Sequence, residues 1–111
     1  MEKRDHVLAI VRYGAAWIEK DAAKRRALLE AGWAEDGAFC DPNDHVVGRD
    51  ALDALMARFQ EERPGSTLEV PSAIEIARDH HRFGWRLRSA QGLVVVEATN
   101  FGSIDGTGRL V

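Results

Sequence analysis

The chain is expected to be an α+β domain, with helices gathered on one face of a curved antiparallel sheet. Three observations predict this. Apolar residues recur at helical spacing up to Gly65. Beyond Gly65 the period changes from about 3.6 to about 2. The stretches "RPG", "AQG" and "DGTG" then punctuate the chain where a meander of strands needs turns. A run of helices followed by a run of strands packs as two segregated layers.

Val7, Ile10, Val11, Gly14 and Ile18 fall at helical spacing, so residues 3–19 read as an amphipathic helix. Ile10, Tyr13 and Trp17 form a second stripe beside the first. Asp21 is placed to cap a second helix, with Leu28, Leu29, Gly32 and Trp33 facing inward. A short strand is expected over 37–41, followed by "DPNDHVVG" as a loop. A third helix starts near Arg49 or Asp50, shows Leu52, Leu55, Met56 and Phe59 on its apolar face, and stops at "RPG".

The first long strand alternates through Leu68, Val70, Ile74 and Ile76. Pro71 lacks an N–H, which requires a bulge or a sheet edge there. A turn near Arg78 leads to a strand with His81, Phe83, Trp85 and Leu87 on one face and Arg82, Gly84, Arg86 and Arg88 on the other. The next strand keeps Val94, Val96, Ala98, Asn100, Gly102 and Ile104 in phase. "DGTG" turns the chain, and "RLV" opens a last strand.

The 111 residues suffice for a single domain, taken as 1–111. A composition 45% hydrophobic and 30% charged excludes a disordered chain. Net charge is −3 with dispersed cations, so no nucleic-acid partner is expected. "MEKRDHVLAI" has no apolar leader and no window is long enough to span a bilayer, so a cytoplasmic location and no membrane contact are expected. Cys40 has no internal disulfide partner and reads as an inert core thiol. The four histidines fit no metal-ligand spacing, and no metal or cofactor is expected.

Four stretches, "GWAEDGAFCDP", "GRDALDALMARFQEERPG", "HHRFGWRL" and "EATNFGSIDGTGRL", together resemble the SnoaL-like group of the NTF2-like superfamily. The resemblance implies a cone: three N-terminal helices on a strongly curved sheet, enclosing an apolar pocket. It also implies chemistry of the kind performed by isomerases, polyketide cyclases and dehydratases, or plain ligand binding. In the ketosteroid isomerase branch an aspartate base precedes a proline after the first strand, and Asp41-Pro42 match it. The branch's carboxylic acid in the long strand corresponds to Asn100. Its oxyanion-binding tyrosine corresponds to Trp17, with Tyr13 one turn earlier.

The candidate catalytic residues are therefore Asp41, Asn100 and His81, and the candidate pocket walls are Tyr13, Trp17, Trp33, Phe59, Phe83 and Trp85. In a dry pocket a carboxyl becomes a better base, and Asp41 would abstract a proton beside a carbonyl. Asn100 would donate to the developing oxyanion. Each residue has a structural alternative. Asp41 can organise an Asx turn, Asn100 can satisfy backbone groups, and His81 can sit hydrogen-bonded at the sheet rim. His45 reads as a solvent-exposed loop residue. The expected ligand is an apolar or aromatic small molecule. The arginine face of the sheet, with Glu75 and Glu97 as cross-strand partners, points to a homodimer. The competing function is a non-catalytic dimerisation or partner-binding module.

Overall fold

The computed structural model describes residues 2–71 and 73–111. The chain order is α1 (Lys3–Ile18), α2 (Ala22–Gly32), β1 (Ala38–Cys40), β2 (His45–Val47), α3 (Arg49–Glu62), β3 (Thr67–Glu69), β4 (Glu75–Ala77), β5 (His80–Arg88) and β6 (Val94–Ser103). This is the α+β order expected from the change of period.

Helix α1 buries His6, Ala9, Ile10, Tyr13 and Ala16. The aromatic stripe therefore faces the core. The aliphatic stripe does not, because Val11 and Ile18 are exposed. A helix in contact with a sheet on one side can bury only one of two adjacent stripes, and the larger side chains take it. Asp21 caps α2 as expected, its carboxylate accepting from the Lys24 N–H at 3.0 Å. Leu29 and Trp33 are buried. So is Arg25, whose guanidinium reaches Asp53 on α3 at 2.5 Å and joins the two helices. Gly48 enters α3 with φ of 91°, a conformation costly to any side chain.

The expected loop over 41–48 is in part a strand. Val46 and Val47 lie in β2, which pairs with β1 through Phe39↔Val46. Only residues 41–44 turn, and the β-branched pair after them suits the ladder. Cys40 is exposed, which corrects its placement in the core. In so short a hairpin only the cross-strand pair Phe39 and Val46 takes the inward position.

Strand β5 is the spine of the main sheet. Strand β6 pairs along one edge, from His80↔Ser103 to Arg88↔Val94. On the other edge β3 and β4 pair separately, ending at Glu69↔Arg86 and resuming at Glu75↔Arg82. The strand expected through 68–76 is thus two strands, and position 72 lies outside the described residues. The pairing with β5 is interrupted after Glu69 and resumes at Glu75. The β5–β6 ladder has an irregularity between Leu87 and Arg88. Bulges of this kind bend and coil a sheet. At the C-terminus "RLV" makes only isolated bridges, Leu110 meeting Trp33 and Ile104.

The helices pack on the concave face over Leu29, Leu52 and Met56, with Phe83 and Ile104 from the sheet. The convex face carries the expected ion pairs, Arg82 with Glu75 at 2.5 Å and Arg86 with Glu97 at 3.6 Å. No helix among the described residues is long and apolar enough to cross a membrane.

Candidate functional site

The concave side of β5 and β6 brings polar side chains into an apolar interior. Alternation along β5 places His81, Phe83 and Leu87 inward, and all three are buried. Register His81↔Gly102 and Phe83↔Asn100 sets Asn100 one step along the neighbouring strand. A Cβ at position 102 would lie 2.6 Å from the His81 ring atoms Cε1 and Nε2, so the glycine is the space the imidazole occupies. Phe83 stacks on that ring with centroids 5.8 Å apart.

Helix α1 closes the other side. Its Tyr13 is buried and stacks on Trp33 at 5.2 Å. Trp33 donates from Nε1 to the Gly37 carbonyl at 3.1 Å. Trp17 meets Tyr13, Phe39 and Phe59 at centroid distances of 6.4, 5.5 and 5.3 Å. Trp33 and Phe83 are thus tightly packed walls, and much of the volume expected as a pocket is filled by aromatic side chains.

Burial pushes the Tyr13 phenol up to about 12; hydrogen bonding from Trp17 and Asn100 acts the other way, and the charge of Asp41 adds to the rise. Burial likewise lowers His81 to about 4, helped by His6 and opposed by hydrogen bonding from Asn100. In both cases Asn100 opposes the shift that burial produces. His6, one turn before Ile10, completes the row: its Nε2 lies 2.9 Å from Nδ1 of His81. Burial lowers His6 too, with the charge of Asp79 opposing. At neutral pH the interior row His6, His81, Asn100 and Tyr13 is uncharged.

Asp41 is placed differently. It is exposed, and its Oδ1 accepts from the backbone N–H groups of Asn43 and Asp44 at 2.8 and 2.7 Å. The chain closes the same turn with Asp41 N–H to the Asp44 carbonyl at 2.9 Å. This is the Asx-turn arrangement. Among the described hydrogen bonds Oδ2 is not engaged.

Two clefts open away from this row. One, of about 250 Å³, is bordered by Trp17, Lys20, Phe59 and Arg63. The other, of about 320 Å³, is bordered by Pro71, Trp85, Arg86 and Glu97. The nine aromatic and polar positions singled out in the sequence therefore divide. Tyr13, Trp17, Trp33, Phe83, His81 and Asn100 share the interior, Phe59 adjoins it through Trp17, Trp85 packs against the core and also borders the far cleft, and Asp41 stands at the hairpin turn. His45 is exposed, as expected, but it lies in strand β2 opposite Cys40 rather than in a loop. No group of three or more His, Cys, Asp or Glu side chains among the described residues could hold a metal ion.

Over 96% of its length the chain is similar to 92% of an isomerase candidate of the SnoaL-like family from Agrobacterium tumefaciens str. C58, with a TM-score of 0.89 and 29% identity. The fold is that of the SnoaL-like group of the NTF2-like superfamily. A SnoaL-like polyketide cyclase candidate from Jannaschia sp. CCS1 matches with a TM-score of 0.76 at 17% identity, over 97% of this chain and 81% of that one. An NTF2-like protein of unknown function from Exiguobacterium sp. 255-15 matches with a TM-score of 0.74 at 15% identity, over 93% and 92%. No family model and no curated protein matches the sequence.

In this SnoaL-like frame, counting back from Asp41 points to Trp17, and Tyr13, one turn earlier, is the side chain buried against Trp33. The polar residue that sequence reasoning omitted was His6. Its signal was present, because residues 6, 10, 13 and 17 form one helical stripe, and a histidine inside such a stripe must find a buried partner.

Proposed function

We propose that this SnoaL-like protein binds an apolar or aromatic small molecule that carries a carbonyl or enolic oxygen, and that it promotes proton transfer beside that carbonyl without a cofactor. The supporting observation is the uncharged Tyr13–Asn100–His81 row inside an apolar shell. In this reading the substrate oxygen meets the Tyr13 O–H and an Asn100 N–H. The free Oδ2 of Asp41 takes the proton from the adjacent carbon, and the carbonyl becomes an enolate. Return of the proton to another carbon gives the isomer, and attack of the enolate on a second carbonyl gives a ring. Pre-organised donors in a dry site contribute on the order of 3 kcal/mol each to oxyanion stabilisation.

The test is calorimetric. Para-nitrophenolate and nitrobenzene are titrated into wild type and Asn100→Leu. The leucine keeps the volume and removes the donor. The phenolate should lose affinity while nitrobenzene does not. Equal losses would make Asn100 structural and end the oxyanion reading.

The convex sheet face favours a second role beside the first. Phe101 is 73% exposed and sits in register with Arg82, in a field of paired arginines and glutamates. A self-complementary face of this kind suits a two-fold homodimer. Light scattering should give twice 12.3 kDa, and Phe101→Asp should return the monomer mass.

A further inference from the structure

The cleft of about 250 Å³ lies outside the interior row, where the C-terminal ends of α1 and α3 meet the turn into β3. One wall is aromatic: Trp17 and Phe59 border it, half-buried, with their rings edge to face at 5.3 Å. Its rim carries Lys20 and Arg63, both exposed, and no carboxylate borders it among the described residues. Neither cation forms an ion pair among the described residues. Arg58, on the same helix as Phe59, is by contrast held by Asp44 and Glu62.

Cations near a helix C-terminus commonly serve its bare carbonyls. Here those carbonyls have other donors. Gln60 donates from Nε2 to the Trp17 and Glu19 carbonyls at 3.0 and 2.8 Å. Arg25 adds a bond to the Glu19 carbonyl at 3.1 Å. The Phe59 and Arg63 carbonyls accept from the Arg63 and Ser66 N–H groups at 2.9 and 3.3 Å. The two charges therefore stand beside the aromatic wall without a partner in the fold.

The same bonds preform the cleft. Gln60 ties the end of α1 to α3. Gly65 turns with φ of 77°, and a Cβ there would lie 2.9 Å from that of Ala90, so the turn is seated against the β5–β6 connection. A preformed site loses less on binding than one that must be ordered.

We propose that this cleft is a second binding site, for a small planar aromatic carboxylate, whose ring lies against Trp17 and Phe59 and whose carboxylate meets Lys20 and Arg63. The Arg63 fork holds both oxygens, and Lys20 adds a point charge. An uncharged ring gains the apolar contact alone, and an aromatic cation is repelled. The volume suits one ring with a short acid chain rather than a drug-sized ligand. The site does not depend on the Tyr13–Asn100–His81 reading.

Cinnamate and its uncharged amide, cinnamamide, are titrated into the protein by calorimetry, and nitrogen–proton NMR follows the three indole N–H groups. Cinnamate should bind saturably and more tightly than cinnamamide, and should move the Trp17 resonance more than those of Trp33 and Trp85. Lys20→Met and Arg63→Met remove the charges and keep apolar stems. Each should weaken cinnamate roughly threefold, as loss of an exposed ion pair does, and leave cinnamamide unchanged. Added salt should narrow the gap between the two ligands. Phe59→Leu should weaken both alike. Circular dichroism establishes that each variant is folded.

Absence of saturable cinnamate binding, equal affinity for the two ligands, or wild-type affinity in folded Lys20→Met/Arg63→Met would overturn the proposal. So would cinnamate binding that is lost in folded Asn100→Leu and leaves the Trp17 resonance unmoved, because the ligand would then occupy the interior site. If Asn100→Leu fails to separate para-nitrophenolate from nitrobenzene while cinnamate behaves as expected, the oxyanion reading falls and the cleft stands.

Discussion

The interior row and the hairpin turn both carry polar residues that stand out in the sequence, yet they are built on opposite terms. His81 and its partner His6 are buried, uncharged and fixed by single short contacts to other elements. Asp41 is exposed and is fixed by its own loop, through two backbone N–H groups within three residues. The interior groups gain their chemistry from desolvation, which shifts their protonation. Asp41 keeps its water and gains a fixed direction instead. A site assembled from both would pair buried neutral donors with a rim carboxylate.

The contrast can be broken first at the wall behind Tyr13. Trp33→Ala removes the stacking partner of the phenol and opens a cavity, at about 3–5 kcal/mol in urea unfolding. A loss as small as that of a surface substitution would mean the interior is not the rigid half.

Acid is the next lever, and its sign follows from His81. An unfolded imidazole takes its proton near 6.5, the folded one only near 4. Between these values the unfolded chain holds more protons, so stability is complete above pH 6.5 and is lost as pH falls through about 4. The full effect is on the order of 3 kcal/mol, with His6 acting in the same direction and Asp79 against it. The slope should flatten in His81→Gln.

Gly102→Ala sharpens the comparison locally. The new methyl meets the His81 ring, the ring or the strand must shift, and the cost is about 1–3 kcal/mol. Histidine resonances of both His6 and His81 should move. Asp41→Ala is the mildest, at about 1 kcal/mol, because it frees two exposed backbone donors that water can serve. Asp41→Asn should cost less still, since its amide oxygen accepts the same bonds.

The same contrast explains what was legible beforehand. Strands β5 and β6 are long, nine and ten residues, and alternate over most of their length, so phase alone set His81, Phe83 and Asn100 facing inward. Helix α3 was equally clear, because Leu52, Leu55 and Met56 have no competing stripe. Around residues 38–47 the segments are three residues long, too short for periodicity to separate strand from turn, and there Cys40 and β2 were misplaced. In α1 two apolar stripes competed, and sequence spacing cannot rank them. The His6–His81 contact spans 75 residues and depends on how α1 crosses the sheet, which no local pattern encodes.

Tyr13 is the only tyrosine, so phenolate absorbance reports on the interior row alone. The most direct measurement is therefore an alkaline titration followed by that absorbance, with circular dichroism recorded at each point. The predicted result is no ionisation of the folded protein until about pH 12. Reversible ionisation near pH 10 with the fold intact would contradict the account, because Tyr13 would then be in water and the Tyr13–Asn100–His81 row would not be a dry donor site.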